Sequence, residues 1–181
     1  MVRAILEGRK TQTRRIINPP PHESWSQLPI SVSEDGYAVF TDFKSDLKCP
    51  YGTVNDRLWV REAWAHVIVG NQIDYLYRAD HHTGIEKKNG DQKWKPSIHM
   101  PKVACRLMLE VTSVRVERLL EITGRDVLAE GVDNGFSNPT MGIRWENMQK
   151  MAFEKLWTTI NGPDSWKSNP FVWVIEFRRL N

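Results

Sequence analysis

The stretch from Val103 to Val116 constrains the fold more than any other part of this sequence. Its β-branched and aliphatic residues have strong strand propensity and alternate in part, which predicts one long strand. Further strands are predicted at Arg57–Val69, at Asp74–Arg78 and, near the end of the chain, at Phe171–Phe177. We therefore expect a sheet in which Val103–Val116 is the spine.

Two short helices are predicted beside this sheet. Met1–Glu7 is apolar on one face and is followed by Gly8, which suits a left-handed helix end. Thr123 and Asp126 have the spacing of an N-terminal capping box, and Glu130 falls in the last turn of the helix that they begin. Between the first helix and the spine, residues 11–17 predict a short strand and residues 37–40 a hairpin strand.

A longer helix is predicted at residues 143–160. Its apolar positions are spaced for one buried face: Ile143, Trp145, Met148, Met151, Ala152, Leu156, Trp157 and Ile160. The predicted strands outnumber the helices, which cluster at the start of the chain and before its last strand. We expect an α+β fold with a closed or nearly closed, mostly antiparallel sheet flanked by helices.

Composition places the chain among ordinary globular proteins. It has 181 residues, the size of a single domain, with 40% hydrophobic and 26% charged residues. Lys and Arg (25) exceed Asp and Glu (22) too little to indicate a nucleic-acid partner on that ground alone. The two cysteines are too few for a disulfide framework or a zinc site, and no apolar run suits a membrane span or a signal peptide. We expect one cytoplasmic domain without cofactor, metal or membrane association.

Four segments together resemble the ASCH family. The run Gly8–Arg14 has the family's Gly-x-Lys followed by a Thr and an Arg, and Asn55–Val60, Leu109–Val111 and Val174–Phe177 resemble its strands in order. The resemblance implies a PUA-like β-barrel with a helix beside an open cleft, a fold that family members use for RNA recognition and, in some cases, for hydrolysis. Fold alone does not decide between these functions.

The chain is longer than the small members of that family. The resemblance therefore implies a single ASCH domain over residues 1–181 with loop insertions at 22–54, 80–100 and 133–142. The segment Trp94–Pro101 resembles the corresponding sequence in a phage and prophage branch of the family. The role of that branch does not follow from the sequence.

The catalytic residues implied by the resemblance are Lys10, Thr13 and Glu130. They match by motif position the Lys, Thr and Glu of the small bacterial N4-acetylcytidine amidohydrolases. A neutral lysine is able to take the proton of a threonine hydroxyl that attacks an acyl carbon, and a carboxyl group is able to protonate the leaving amine. On one regular strand Lys10 and Thr13 point to opposite faces, so this chemistry needs a turn or bulge between them.

Binding residues are expected around the same motif. Lys10, Arg14 and Arg15 form a basic strip suited to phosphate groups without catalysis, and Arg9 is a further binding candidate. Trp94 is the best candidate for stacking on a base. His99 either faces the cleft or satisfies a local hydrogen bond, and we favour the structural role. Two further sets are read as ordinary surface features: the adjacent His81 and His82, without a metal, and the carboxylates Glu62, Asp74 and Asp80.

Four functions remain open on this sequence. The first is a metal-independent amidohydrolase acting on an N-acylated cytosine, with RNA or a modified nucleoside as the partner. The second is a non-catalytic RNA-binding module, which predicts binding that weakens steeply with salt. The third is an ASCH-type ribonuclease, and the fourth is a phage structural or assembly protein. The oligomeric state is not indicated.

Overall fold

The computed structural model describes residues 1–18, 31–32, 38–39, 41–42, 45–46, 48–80, 93–132, 135 and 142–180. In chain order its helices and strands are α1 (Val2–Leu6), β1 (Gln12–Ile16), β2 (Ser31–Val32), β3 (Ala38–Val39), β4 (Thr41–Asp42), β5 (Ser45–Asp46), β6 (Arg57–Trp59), β7 (Trp64–Val69), β8 (Gln72–Tyr77), β9 (Met108–Arg118), α2 (Gly124–Ala129), α3 (Ile143–Asn161) and β10 (Phe171–Leu180).

The largest sheet in the described part of the chain has four strands in the order β1, β10, β9, β6. Each neighbouring pair is antiparallel, and the sheet curls into a half-barrel. The expected α+β class with an antiparallel sheet is thus confirmed. β9, the predicted spine, and β10 form the centre, while β1 and β6 are the two edges.

The two faces of this sheet pack into different clusters. On one face, Val111, Val114, Val116, Trp173 and Ile175 pack with residues that precede β6. Thr112 on β9 is an extra residue, since Ser113 pairs with Glu176 and Val111 with Phe177. Such a bulge shifts the alternation by one residue, which lets Val111 and Val114 face the same cluster.

The opposite face is covered by α2 and α3. Val172 and Val174 of β10 pack there against Val127 of α2 and against Phe153 and Trp157 of α3. Burial of these side chains holds both helices against the sheet. The polar residues of β1 that share this face therefore lie beneath the helices.

The two short helices were predicted correctly from local sequence signals. α1 ends at Leu6 with Glu7 as its C-terminal cap, and Gly8 has a positive φ of 73°. The capping box before α2 is formed, since the Asp126 N–H donates to Thr123 Oγ1 (3.2 Å) and the Thr123 N–H donates to the Asp126 carboxylate (2.9 Å). Glu130 is the C-terminal cap of α2.

The strand predicted at Arg57–Val69 is wrong as one element. β6 belongs to the main sheet, whereas β7 pairs with β8 in a separate hairpin. Between them, the Glu62 carboxylate is buried and accepts two hydrogen bonds of 2.8 Å from Arg106, so Glu62 is not the surface charge that we expected. Arg106 also donates to Asp80 (2.6 Å), so one guanidinium joins the segment between β6 and β7 to the turn that follows β8.

Two further boundaries need correction. The spine begins at Met108 rather than at Val103, because Pro101 precedes a 3₁₀ turn at Lys102–Ala104 and leaves Val103 78% exposed. On α3 the buried residues are Trp145, Gln149, Phe153 and Trp157, which follow one another at intervals of four. Several residues expected on that face are exposed instead, namely Ile143, Met151, Leu156 and Ile160.

Several sequence-based expectations fall on other parts of the chain. Residues 81–92, with both adjacent histidines, and most of the three expected insertions lie outside the described residues. The hairpin strand expected at 37–40 is confirmed for Ala38–Val39, which pair with Ser31–Val32. Among the described helices, none combines the length and the apolar character that crossing a bilayer requires.

Candidate functional site

The candidate site lies where the chain entering β1 meets the end of α2. Lys10 and Glu130 form an antiparallel bridge there, and the Thr11 N–H donates to the Ala129 carbonyl (2.8 Å). Gly131 follows with a positive φ of 77°, and a β-carbon at this position would stand 2.8 Å from the β-carbon of Lys10. A glycine at this point thus lets the two segments approach closely.

The Lys10 ammonium is surrounded by acceptors. Its Nζ donates to the Gln12 carbonyl (2.7 Å), to the Glu130 carbonyl (2.9 Å) and to Glu130 Oε2 (2.9 Å). Lys10 is 5% exposed, and this burial lowers its pKa, while the adjacent Glu130 carboxylate acts in the opposite direction. The pair therefore holds a proton that is easier to release than that of a solvated lysine.

Arg14 joins Glu130 to the other carboxylates of this face. Its guanidinium donates to Glu130 Oε1 (3.4 Å) and to Glu117 Oε2 (2.9 Å), and it lies 3.4 Å from Asp126 Oδ2. The Arg14 side chain is fully buried, so its charge is compensated by these three carboxylates rather than by water. The Gln12 amide, two residues away on β1, also donates to Asp126 (3.1 Å).

The outer part of this network is anchored on β9. Arg115 donates to Glu117 (2.6 Å) and contacts Glu176 and Asp126. Although partial burial acts to raise the pKa of the Asp126 carboxyl, hydrogen bonds from Thr123 together with the Arg14 charge hold this pKa below its ordinary value. Glu130 is thus positioned by a continuous set of ion pairs.

A cavity of about 300 Å³ opens beside the Lys10–Glu130 pair, between β1 and α3. Its polar lining includes Lys10, Thr13, Arg14 and Glu130. Its apolar walls come mainly from α3, with contributions from the first residue and from β1: Met1, Ile16, Phe153, Leu156, Trp157 and Ile160. An apolar slot with a few convergent polar groups at this volume is typical of a small-molecule site.

Thr13 lies on the other side of β1 from Arg14. It pairs with Ile175, whereas Arg14 pairs with Val174, and directly opposed residues of two strands share a face. In the described parts of the chain, no hydrogen bond joins the Thr13 hydroxyl to Lys10 or Glu130. Of the three expected catalytic residues, the structure brings Lys10 and Glu130 into contact, while Thr13 shares only the lining of the cavity.

The expected binding residues are dispersed. Arg14 is buried in the network, and Arg9 is exposed and donates to Glu7 (2.8 Å). Arg15 is exposed and lines this cavity and a second one on the opposite face of β1. Trp94 and the exposed His99 are not among the residues that line either cavity.

Sequence reasoning did not identify five residues of the network, namely Gln12, Arg115, Glu117, Asp126 and Glu176. Gln12 and Glu117 carried no motif, and Asp126 was interpreted only as a helix cap. One signal was available, because polar residues at positions 12 and 14 of a strand must share a face. Their acidic partners on β9 and α2 are distant in sequence and follow only from the tertiary packing.

The comparisons with known proteins add no assignment. No family model matches the chain, and no significant match was found among curated proteins or solved structures. Within the described ranges, His, Cys, Asp and Glu side chains form no cluster that could hold a metal ion.

Proposed function

We propose that the chain is an ASCH-type amidohydrolase that binds an N-acylated cytosine nucleoside in the cavity between β1 and α3. The observation that carries this proposal is the buried contact of Lys10 with Glu130 at the wall of that cavity. The half-barrel and its covering helices agree with the PUA-like barrel that the sequence motifs imply. The cavity volume suits one nucleoside rather than a folded nucleic acid.

The Lys10–Glu130 pair supplies the proton chemistry of amide hydrolysis. When one proton moves from the ammonium to the carboxylate, Lys10 becomes a neutral base and Glu130 a neutral acid. Lys10 then takes the proton of the attacking hydroxyl, and Glu130 gives its proton to the cytosine N4 as the carbon–nitrogen bond breaks. The pair returns to its ionised state, so the proton balance closes without a metal ion.

The attacking hydroxyl in this scheme is that of Thr13 or of a water molecule. If Thr13 attacks, an acetyl ester forms on its side chain and water then releases acetate. Burial of Lys10 favours the neutral amine that either version requires.

A second function, a non-catalytic RNA-binding module, is favoured by Arg15. This residue is exposed, lines both cavities, and forms no ion pair with any residue in the described part of the chain. A cation that no described carboxylate neutralises is available to a phosphate group. This alternative predicts affinity for RNA without any product.

The experiment that separates these functions follows two substrates by mass spectrometry. Purified protein is incubated without metal with N4-acetylcytidine and, separately, with an RNA oligonucleotide. Loss of the acetyl group is expected for the native protein and not for Lys10→Met, while Lys102→Met, which replaces an exposed lysine that does not line the cavity, retains turnover. Shortened RNA would indicate the ribonuclease instead, and two unchanged substrates would leave binding alone.

The role of Thr13 is tested with a matched pair of threonines. Thr13→Val removes the hydroxyl of a residue that lines the cavity, and Thr11→Val removes the hydroxyl of an exposed residue two positions away. If Thr13 is the nucleophile, only its replacement abolishes turnover and the acetylated protein intermediate. If a water molecule attacks, both variants remain active and the assignment of Thr13 as nucleophile is wrong.

A further inference from the structure

A second and more open cavity, of about 620 Å³, lies on the opposite face of β1. It extends between the two edge strands of the half-barrel, with Thr13 and Arg15 of β1 on one side and Arg57 and Leu58 of β6 on the other. Ile175 of β10 contributes to its floor, and residues 50–52 and Asp56 line it from the loop before β6. Apart from Thr13, which lines both cavities, the proposed reaction uses none of these residues.

Two arginines, Arg15 and Arg57, are among the residues that line this cavity. Arg15 and Arg57 are both exposed, and neither forms an ion pair or side-chain hydrogen bond with another described residue. The arginines that pack against the body of the fold differ, since Arg14, Arg106 and Arg115 each hold at least two carboxylates. Arg15 and Arg57 thus retain their full capacity to bind an anion.

The one carboxylate in the lining is already committed to its own loop. Asp56 Oδ2 accepts hydrogen bonds from the Thr53 N–H (2.7 Å) and the Thr53 hydroxyl (3.1 Å). Gly52, with a φ of 103°, passes so close that a β-carbon would stand 2.8 Å from the same oxygen. These contacts hold the Asp56 carboxylate within its own loop. It therefore does not serve as the counter-ion of the two arginines.

The same loop presents an aromatic ring to the cavity. Tyr51 is 38% exposed and lines the cavity beside Gly52. The loop is fixed to the sheet, because the Asn55 N–H donates to the Val111 carbonyl (2.8 Å) and the Val111 N–H donates to the Asp56 carbonyl (2.9 Å). A fixed, exposed aromatic ring beside two cations has the composition of a nucleotide site.

We infer that the second cavity binds the phosphate of a nucleotide between Arg15 and Arg57, with Tyr51 available to stack on a base. The inference rests on the proposed function only in the choice of a cytosine nucleotide as the probe. It narrows the substrate class to phosphorylated cytosine, because Thr13 and Arg15 line both cavities and bring the phosphate site next to the candidate catalytic cavity. The phosphate belongs either to a free mononucleotide or to an RNA chain.

Calorimetric titration tests this inference without turnover. The titrants are cytidine, cytidine 5′-monophosphate, inorganic phosphate and a short single-stranded RNA. The variants are Arg15→Gln and Arg57→Gln, with Arg144→Gln as an exposed arginine control on α3 that lines neither cavity. Thermal unfolding of each variant checks that the fold is retained.

The monophosphate is expected to bind at least about tenfold more tightly than cytidine, since charge-assisted hydrogen bonds to phosphate are strong. Arg57→Gln removes this advantage, and Arg144→Gln retains it. If the phosphate belongs to RNA instead, the oligonucleotide binds while the monophosphate does not, and Arg57→Gln lowers the salt slope of binding by about one. Either result supports the site and identifies the source of the phosphate.

The inference is overturned if cytidine and its monophosphate bind equally and neither arginine substitution changes RNA affinity. This outcome is separate from the fate of the proposed reaction. Phosphate-dependent binding without loss of acetyl groups would leave the second cavity assigned and the amidohydrolase rejected. Deacetylation at an equal rate in the wild type, Arg15→Gln and Arg57→Gln, without phosphate-dependent binding, would support the amidohydrolase and reject the second cavity as a phosphate site.

Discussion

The Nζ of Lys10 lies 2.9 Å from the Oε2 of Glu130, although 120 positions separate the two residues in the sequence. Both side chains are almost fully buried, with 4% and 6% of their surfaces exposed. A buried ion pair is costly to desolvate and is weak evidence for stability. Its position at the wall of a cavity is what makes it a functional candidate.

The first prediction concerns the energetic coupling of this pair. Lys10→Met or Glu130→Gln alone leaves a buried charge with fewer partners, which is expected to cost about 3 kcal/mol of unfolding free energy. The double variant should cost less than the sum of the two, with a coupling above about 1 kcal/mol. Urea unfolding of the four proteins measures this cycle.

The exposed pair Arg178–Glu110 is the matched control for that cycle. The Arg178 side chain is 67% exposed, so its coupling to Glu110 should stay below about 1 kcal/mol. Equal coupling energies for the two pairs would mean that burial does not strengthen the Lys10–Glu130 interaction.

The second prediction concerns Gly131. Gly131→Ala places a β-carbon 2.8 Å from the Lys10 β-carbon and 2.9 Å from that of Ala4, in addition to the strain of a positive φ. Gly8→Ala has similar backbone strain, at a φ of 73°, with nothing within 4 Å. We expect Gly8→Ala to cost about 1 kcal/mol and Gly131→Ala about 1 to 3 kcal/mol more.

Thermal unfolding and turnover of these two glycine variants give the readout. Only Gly131→Ala should reduce turnover in the folded protein, since only this change displaces Lys10 from Glu130. Similar losses in both variants would show that backbone strain alone is responsible.

The third prediction concerns the pH dependence of turnover. The reaction starts from a Lys10–Glu130 pair that holds one proton, and burial lowers the pKa of the Lys10 amine below its ordinary value of 10.5. Once the pair loses this proton, no acid remains to protonate the cytosine N4, so the rate should fall as the pH rises through an apparent pKa below 10.5. A pH–rate profile for kcat/KM measures this, and a rate that rises through that region and then levels off would contradict the shared proton.

The fourth prediction concerns Asp126, which caps α2 and contacts Arg14. Asp126→Asn removes the carboxylate from both contacts and is expected to cost about 1 to 2 kcal/mol at neutral pH. Because the folded-state pKa of Asp126 lies below the ordinary value of 3.8, its stabilisation is complete above that value and is lost as the pH falls through the folded pKa. The difference between wild type and variant should therefore narrow in acid.

Asp74→Asn, an exposed carboxylate on β8, is the control for this comparison. Its unfolding free energy should follow that of the wild type at every pH. A constant difference between the wild type and Asp126→Asn from neutral to strongly acidic pH would contradict the role assigned to the ionised carboxylate.

The features predicted correctly from the sequence are those set by neighbouring residues. The capping box of Thr123 and Asp126, the helix end at Gly8 and the closing strand β10 depend on local propensity, and the structure contains each of them. Lys10 and Glu130 were paired through a family resemblance, since no local rule connects residues so far apart.

The incorrect predictions have tertiary causes. The strand expected through residues 57–69 is interrupted between Trp59 and Trp64, where Glu62 is bound by Arg106, a contact that spans 44 positions and that no local pattern predicts. The buried face of α3 was misassigned because hydrophobicity favoured Ile143, which is 82% exposed, over Gln149, which is fully buried. The side of a helix that faces a sheet depends on the opposing surface, so it is not determined by the sequence of the helix alone.

The most direct measurement of the central claim is the initial rate of acetate release from N4-acetylcytidine at neutral pH, without metal. The wild type should release acetate, and folded Lys10→Met should be slower by at least about a hundredfold, the usual contribution of a general base. Lys102→Met should match the wild type. No release by the wild type, or equal rates for wild type and Lys10→Met, would contradict the account.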